Sequence, residues 1–146
     1  MTDLAECDRL DQRRRAILAS ARDLFVEQGY EKTTLGEIVD RAGGSLATIY
    51  KLFGNKDGLL EAVIFEGAQS GEALIREASA PGGDAAAILH RLATSLDAHF
   101  LDPEVVALVR IVIARSINNR DFARLFFERT ATRTRTAIED LFESWH

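Results

Sequence analysis

Residues 33–60 read TTLGEIVDRAGGSLATIYKLFGNKDGLL, and this stretch decides the fold. It holds two short apolar patterns on either side of Gly43-Gly44-Ser45. Leu35, Ile38, Val39 and Ala42 recur at helical spacing, and so do Leu46, Ile49, Tyr50 and Phe53. Thr34-Leu35-Gly36-Glu37 is a capping box, which starts the first helix at Leu35. Gly43 suits the conformation that ends it. Ser45 is an N-cap for a second helix beginning at Leu46. Two short helices joined by a Gly-containing turn suggest a helix-turn-helix, whose second helix enters the DNA major groove. A small helical hairpin without a ligand has the same spacing, so the pattern alone leaves both readings open.

The surrounding residues separate them. Ala42, Gly43 and Ser45, then Thr48, Ile49 and Tyr50, then Phe53, and then Asn55, Lys56 and Asp57 follow one order and spacing. Upstream stand Ile17, Ala21, Leu24, Phe25, Gly29, Tyr30, Thr33 and Thr34. Together, over about residues 13–62, they resemble the DNA-binding domain of the TetR family of bacterial transcriptional repressors. The resemblance implies an all-α fold: an N-terminal three-helix helix-turn-helix domain over residues 1–55, followed by a C-terminal helical bundle over residues 56–146. The second part is expected to bind a ligand and to dimerise. The implied function is a sequence-specific transcriptional regulator, a cytoplasmic repressor released from a palindromic operator by a small-molecule effector. The alternative is a helical interaction or ligand-binding module that does not bind DNA.

Three positions depart from the family pattern. Gly44 stands where Val is usual, which removes core contacts and adds backbone freedom. Leu52 stands where His or Tyr is usual. Val39 replaces a usual Ala and is expected to refill part of the space beside Gly44.

The expected DNA-binding residues are Thr33, Thr34, Ser45, Leu46, Ala47, Thr48, Tyr50, Lys51 and Lys56. Tyr50 and Lys56 match family positions that touch phosphate, and Lys56 also begins a helix, where backbone amides favour an anion. Thr33 and Thr34 have the same opportunity through their hydroxyls or amides. Leu46, Ala47 and Thr48 occupy the first turn of the second helix and should face bases.

Charge argues against a nucleic-acid partner. The chain of 146 residues carries net charge −5. Residues 1–60 hold 9 Lys and Arg against 10 Asp and Glu, and residues 61–146 hold 9 against 13. The usual basic footprint is missing. Placement is more informative, because Lys32, Lys51 and Lys56 all fall in or beside the motif. Arg13, Arg14 and Arg15 begin a predicted helix, against its macrodipole. They serve phosphate, or they are neutralised by Glu6, Asp8 and Asp11.

The rest of the chain reads as helix. Helices are predicted over about residues 11–28, from Asn55 to about Ser79, from Asp84 with Ile88, Leu92, Leu96 and Phe100 inward, from Pro103, and from about Asp121 to Trp145. Gly67 and Gly71 lie one turn apart and suit either close packing or a hinge. Asp102-Pro103-Glu104 is a strong helix start, and the following VVALVRIVIARS is apolar nearly all round, which predicts a central buried helix. Arg110 within it would then be a buried charge, which requires a partner. That partner is Glu66, Asp97 or Glu128, or else an anionic effector. Phe65, Phe100 and Phe126 are candidate lining for an effector pocket, or plain core.

Family members usually end in two long helices that form a four-helix dimer interface. Only one such helix follows here, so either the sequence is incomplete or the dimer is built differently. Leu141, Phe142 and Trp145 form an apolar cluster expected at a homodimer contact. His90, His99 and His146 lack metal-ligand neighbours, and neither a P-loop nor a nucleophile elbow occurs. No metal site, cofactor or catalytic residue is therefore expected. Cys7 is the single cysteine, which excludes an internal disulfide and fits a reducing compartment. No signal peptide or membrane-spanning run is predicted.

Overall fold

The computed structural model describes residues 2–67 and 71–145. Among these, helices are the only regular elements: α1 (Thr2–Gln28), α2 (Leu35–Ala42), α3 (Leu46–Phe53), α4 (Lys56–Gly67), α5 (Gly71–Ser79), α6 (Ala85–Leu101), α7 (Pro103–Asn118), α8 (Arg120–Arg129) and α9 (Ala131–Glu143). None is long and apolar enough to cross a membrane. The chain divides into two compact units, Met1–Gly67 and Ala68–His146. The boundary expected after residue 55 thus falls later, because α4 packs on α1 and α3 within the first unit.

The first unit is built around α1. Ile17, Ala21, Leu24 and Phe25 line its buried face at helical spacing. Ile38 of α2, Ile49 of α3, and Leu59, Leu60 and Val63 of α4 complete the core. The predicted start near residue 11 is corrected to Thr2. Residues 4–12 are all exposed, so no apolar stripe announces this part of the helix. Acidic residues near its start oppose the positive end of the macrodipole.

In the second unit α5 packs on α6 and α9, α6 on α7, and α8 on α7 and α9. Ile75, Ala78 and Leu92 form a core cluster covered by Leu96, Ala137, Ile138 and Leu141. Gly71 packs tightly: a Cβ there would lie 2.3 Å from Thr134 Oγ1, which accounts for a glycine at this crossing. The residues between Gly67 and Gly71 lie outside the described ones, so the single helix expected over 56–79 is described as α4 and α5. Asp84, Asp102 and Asn119 cap α6, α7 and α8 through their carboxyl or amide oxygens.

Three expectations are corrected here. The last helix is two, broken at Thr130, whose hydroxyl donates to the Phe126 carbonyl at 2.6 Å beside the backbone bond from its own amide. α7 is not a buried central helix. It contacts α6 and α8 on one side, burying Leu108 and Val112, and leaves Val109, Ile113 and Ile117 exposed. Phe100, expected inward on α6, is 59% exposed.

Candidate nucleic-acid interface

The turn between α2 and α3 follows from its local chemistry. Thr34 and Glu37 form the reciprocal capping box, with the Glu37 amide donating to Thr34 Oγ1 at 3.2 Å and the Thr34 amide to Glu37 Oε2 at 2.8 Å. The Gln28 amide also donates to that carboxylate, and these bonds hold the Glu37 pKa below its usual value, the Thr34 backbone contact contributing most. Gly43, at φ +78°, ends α2, and Gly44 follows at φ +97°. Both angles exclude most side chains. Ser45 then caps α3 by accepting from the Thr48 amide at 3.3 Å.

Arg13 of α1 lies over this turn. Its Nη1 donates to the Ala42 carbonyl at 2.9 Å, one of the carbonyls that the end of α2 leaves without a helical donor. A Cβ on Gly43 would lie 2.7 Å from Arg13 Nη1, and one on Gly44 3.3 Å from its Cδ. The space beside Gly44, expected to be refilled by Val39, is therefore occupied by Arg13. Arg14 is also engaged within the unit: it pairs with Glu66, raising its own pKa and lowering that of Glu66 mainly through the side-chain hydrogen bond, and stacks 5.1 Å from the Phe53 ring centroid. Of the three arginines, only Arg15 is fully exposed.

α3 offers an outward face. Leu46, Ala47, Tyr50 and Lys51 are exposed, Thr48 is half-buried with its hydroxyl 3.1 Å from that of Ser45, and Ile49 on the opposite side is sealed. Lys56 begins α4 with Nζ 4.3 Å from the Tyr30 ring centroid, while the Tyr30 hydroxyl donates to Asp57. The cation–π contact fixes the lysine beside the first turn of α4.

Two of the expected contacts change. Thr33 is 1% exposed, its hydroxyl donates to the Gly29 carbonyl at 2.8 Å, and its amide donates to the Tyr30 carbonyl. Neither group can meet a phosphate, so Thr33 is corrected from an interface residue to a buried turn residue. Thr34 is exposed, but its amide and hydroxyl both bond Glu37.

The expected effector residues fall in two places. Phe65 belongs to the first unit, and Phe100, Arg110 and Phe126 belong to the second. Arg110 is exposed, so its charge carries no burial cost and requires neither an acidic partner nor an anionic effector. Of the expected dimer residues, Leu141 packs on the core cluster, Phe142 is exposed and Trp145 is half-buried, with the two rings edge-to-face at 5.2 Å.

The sequence reading missed the role of Arg13. Its signal was present in the pair Gly43-Gly44, which leaves room that a long cation on a neighbouring helix can fill. It also missed an open groove of about 690 Å³ between the start of α1 and α3, whose walls include Arg9, Gln12, Thr48 and Lys51. Finding it required knowing that α1 continues to Thr2.

Comparison with known proteins places this geometry. Residues 17–63 match the model of the bacterial regulatory proteins of the tetR family, and residues 87–146 match the C-terminal domain of AefR-like transcriptional repressors. The HTH-type transcriptional repressor ComR of Escherichia coli (strain K12) is 43% identical over 51 residues, 35% of this chain and 24% of ComR. The HTH-type transcriptional activator FasR of Mycolicibacterium smegmatis is 41% identical over 54 residues, 37% of this chain and 25% of FasR. These matches span about a quarter of the curated relatives. The crystal structure of a TetR-family transcriptional regulator from Mesorhizobium loti MAFF303099 superposes with TM-score 0.82 at 27% identity, covering 92% of this chain and 68% of that one. With both halves matched and the helix-turn-helix intact, the chain belongs to the TetR family of transcriptional regulators.

Proposed function

We propose that this chain is a sequence-specific, DNA-binding transcriptional regulator that acts in the cytoplasm as a homodimer on a palindromic operator. The observation that carries the proposal is α3 itself: Ile49 anchors it in the core while Leu46, Ala47, Tyr50 and Lys51 stand exposed on an eight-residue helix with a capped start. A helix presented this way fits the major groove. Leu46 and Ala47 suit thymine methyl groups, Thr48 a base edge, and Tyr50, Lys51 and Lys56 the phosphates on either side.

Repression is the favoured direction, from the resemblance to AefR-like repressors and ComR. FasR, an activator with a similar first domain, shows that the motif alone does not set the direction. Release by a small-molecule effector is proposed from the family, with Phe65, Phe100, Arg110 and Phe126 as the first positions to probe. For the homodimer, Phe142 and Trp145 remain candidates. The stripe Val109, Ile113 and Ile117 along α7 is now the stronger one, because large exposed apolar faces mark interfaces. The acidic balance of the chain favours the alternative of a protein-interaction module without DNA binding.

Selection from random duplexes with the full chain tests the proposal. An inverted repeat with half-sites about one helical turn apart, or a multiple, is expected. Lys56→Ala should weaken binding to all sequences and reduce the salt slope by about one per half-site, whereas Thr48→Ala should change base preference. Selection that returns no enriched sequence overturns the proposal. Sedimentation of Ile113→Asp/Ile117→Asp beside Phe142→Asp/Trp145→Asp locates the interface by which pair yields monomers.

A further inference from the structure

The first turns of α1 pose a problem that the helix-turn-helix does not solve. Residues 4–12 form helix without covering any core, and every one of them is exposed. Yet this segment forms one wall of the open groove of about 690 Å³ whose other wall is α3. From α1 the groove takes Glu6, Arg9, Gln12 and Arg13, and from α3 Thr48 and Lys51.

Charge is sorted by face. At 100° per residue, Arg9, Gln12 and Arg13 fall on one side of α1, while Asp11 falls on the other. The groove thus carries three cations, Arg9, Arg13 and Lys51, against the single carboxylate of Glu6, in a chain of net charge −5. Its α3 wall belongs to the helix proposed to read bases. A channel with three cations, whose lining also includes the apolar Leu10 and Ala16, lies beside such a helix and suits a phosphodiester strand, where each cation releases a condensed counterion.

We infer that the start of α1 is a second DNA-contacting element: the groove between it and α3 takes one phosphodiester strand of the bound duplex, with Arg9 on one wall and Lys51 on the other. This rests on the DNA-binding reading above. Arg13 is already committed to the Ala42 carbonyl and positions the wall, so Arg9 is the residue that adds a phosphate contact. Glu6 faces the same strand and weakens the contact, which makes the groove a salt-sensitive and tunable part of the grip.

The test is fluorescence anisotropy of a labelled mixed-sequence DNA duplex titrated with the full chain at stepped KCl concentrations. Wild type, Arg9→Ala, Glu6→Gln and Asp11→Asn are compared, with helicity checked by circular dichroism. Arg9→Ala should reduce the salt slope by about one unit per bound half-site while helicity is kept. Glu6→Gln should bind more tightly than wild type, and by a larger factor than Asp11→Asn, because Asp11 lies on the side of α1 opposite Arg9. Two outcomes overturn the inference: an unchanged slope for Arg9→Ala in a protein that still binds, or equal gains from Glu6→Gln and Asp11→Asn, which would reduce the effect to long-range charge. Wild type that binds no duplex at any salt defeats the DNA-binding reading itself, and is distinguished from both.

Discussion

The two units of this chain solve the burial problem to different degrees. In the N-terminal unit Ile38, Ile49 and Leu59 are 0% exposed, whereas the best-buried hydrophobic side chain described in the C-terminal unit, Ala78, is 4% exposed. The C-terminal unit also leaves Phe100, Ile113, Ile117 and Phe127 largely open to solvent. The first unit is thus a finished core with its exposed apolar residues concentrated on α1 and α3. The second has enough core to hold α5, α6 and α9 together but keeps apolar surface that a partner would cover. The difference fits the proposed division of labour, in which the first unit meets DNA and the exposed apolar surface of the second meets a partner.

Two phenylalanines put this comparison to its hardest test. Phe25→Ala, at 1% exposure, should destabilise the N-terminal unit by about 3–5 kcal/mol. Phe100→Ala, on the open surface, should stay within about 0.5 kcal/mol in the isolated chain. Intrinsic fluorescence separates the units, since Tyr30 and Tyr50 lie in the first and Trp145, the single tryptophan, lies in the second. Urea titration followed at both signals reads each loss. A Phe100→Ala cost that grows with protein concentration would show that a second copy covers α6, and would close the gap between the units.

Gly71→Ala probes a closely packed crossing in the C-terminal unit. The new Cβ would meet Thr134 Cγ2 at 2.6 Å as well as its Oγ1, and overpacking of this kind costs about 1–3 kcal/mol. Thr134→Ala should recover most of the loss in the double mutant, giving a clear coupling in the Trp145 transition. Additive losses would mean that α5 and α9 already yield to each other.

Arg13→Met sharpens the other side of the comparison. It keeps the stem over Gly43-Gly44 and removes the hydrogen bond to the Ala42 carbonyl, at a cost of about 1 kcal/mol. The effect should appear in the tyrosine signal alone. If stability is unchanged, water replaces the guanidinium at the end of α2, and the turn stands on its glycines.

How much of this was legible beforehand depends on how local the cause is. The capping box at Thr34, the turn at Gly43, the cap at Ser45 and the starts at Asp84 and Pro103 are decided by neighbours within four residues, and all are where the sequence places them. What failed depended on distant contacts. An all-round apolar pattern says that α7 should be covered, but not that one side of it, with Val109, Ile113 and Ile117, stays exposed. Arg110 was misread for the same reason. Thr33 carries the right hydroxyl for a phosphate, and only the fold shows that Leu24 and Gly29 have taken it. The outward residues of α3 were legible because an eight-residue helix has one face anchored by Ile49, which leaves the rest outward.

The smallest effect concerns acid. Glu37 accepts from Thr34 and Gln28, and its pKa is lowered in the native state, first by the Thr34 amide. A lowered native pKa means that the charged form stabilises the fold. That contribution is fully present above the ordinary carboxyl value of the unfolded chain and is lost as pH falls through the lowered native value. Glu37→Gln keeps an acceptor in the capping box without a titrating proton. Near neutral pH the variant should therefore differ little from wild type. In acid, the tyrosine-monitored stability of wild type should fall more steeply than that of Glu37→Gln, with Glu27→Gln as a second comparison because Glu27 is lowered by its hydrogen bond from Arg41. The Trp145 transition should follow the same pH course in all three proteins. Parallel acid limbs for wild type and Glu37→Gln in the tyrosine signal would mean that the box holds with a neutral acid, and that the start of α2 is secured by its packing through Ile38 rather than by charge.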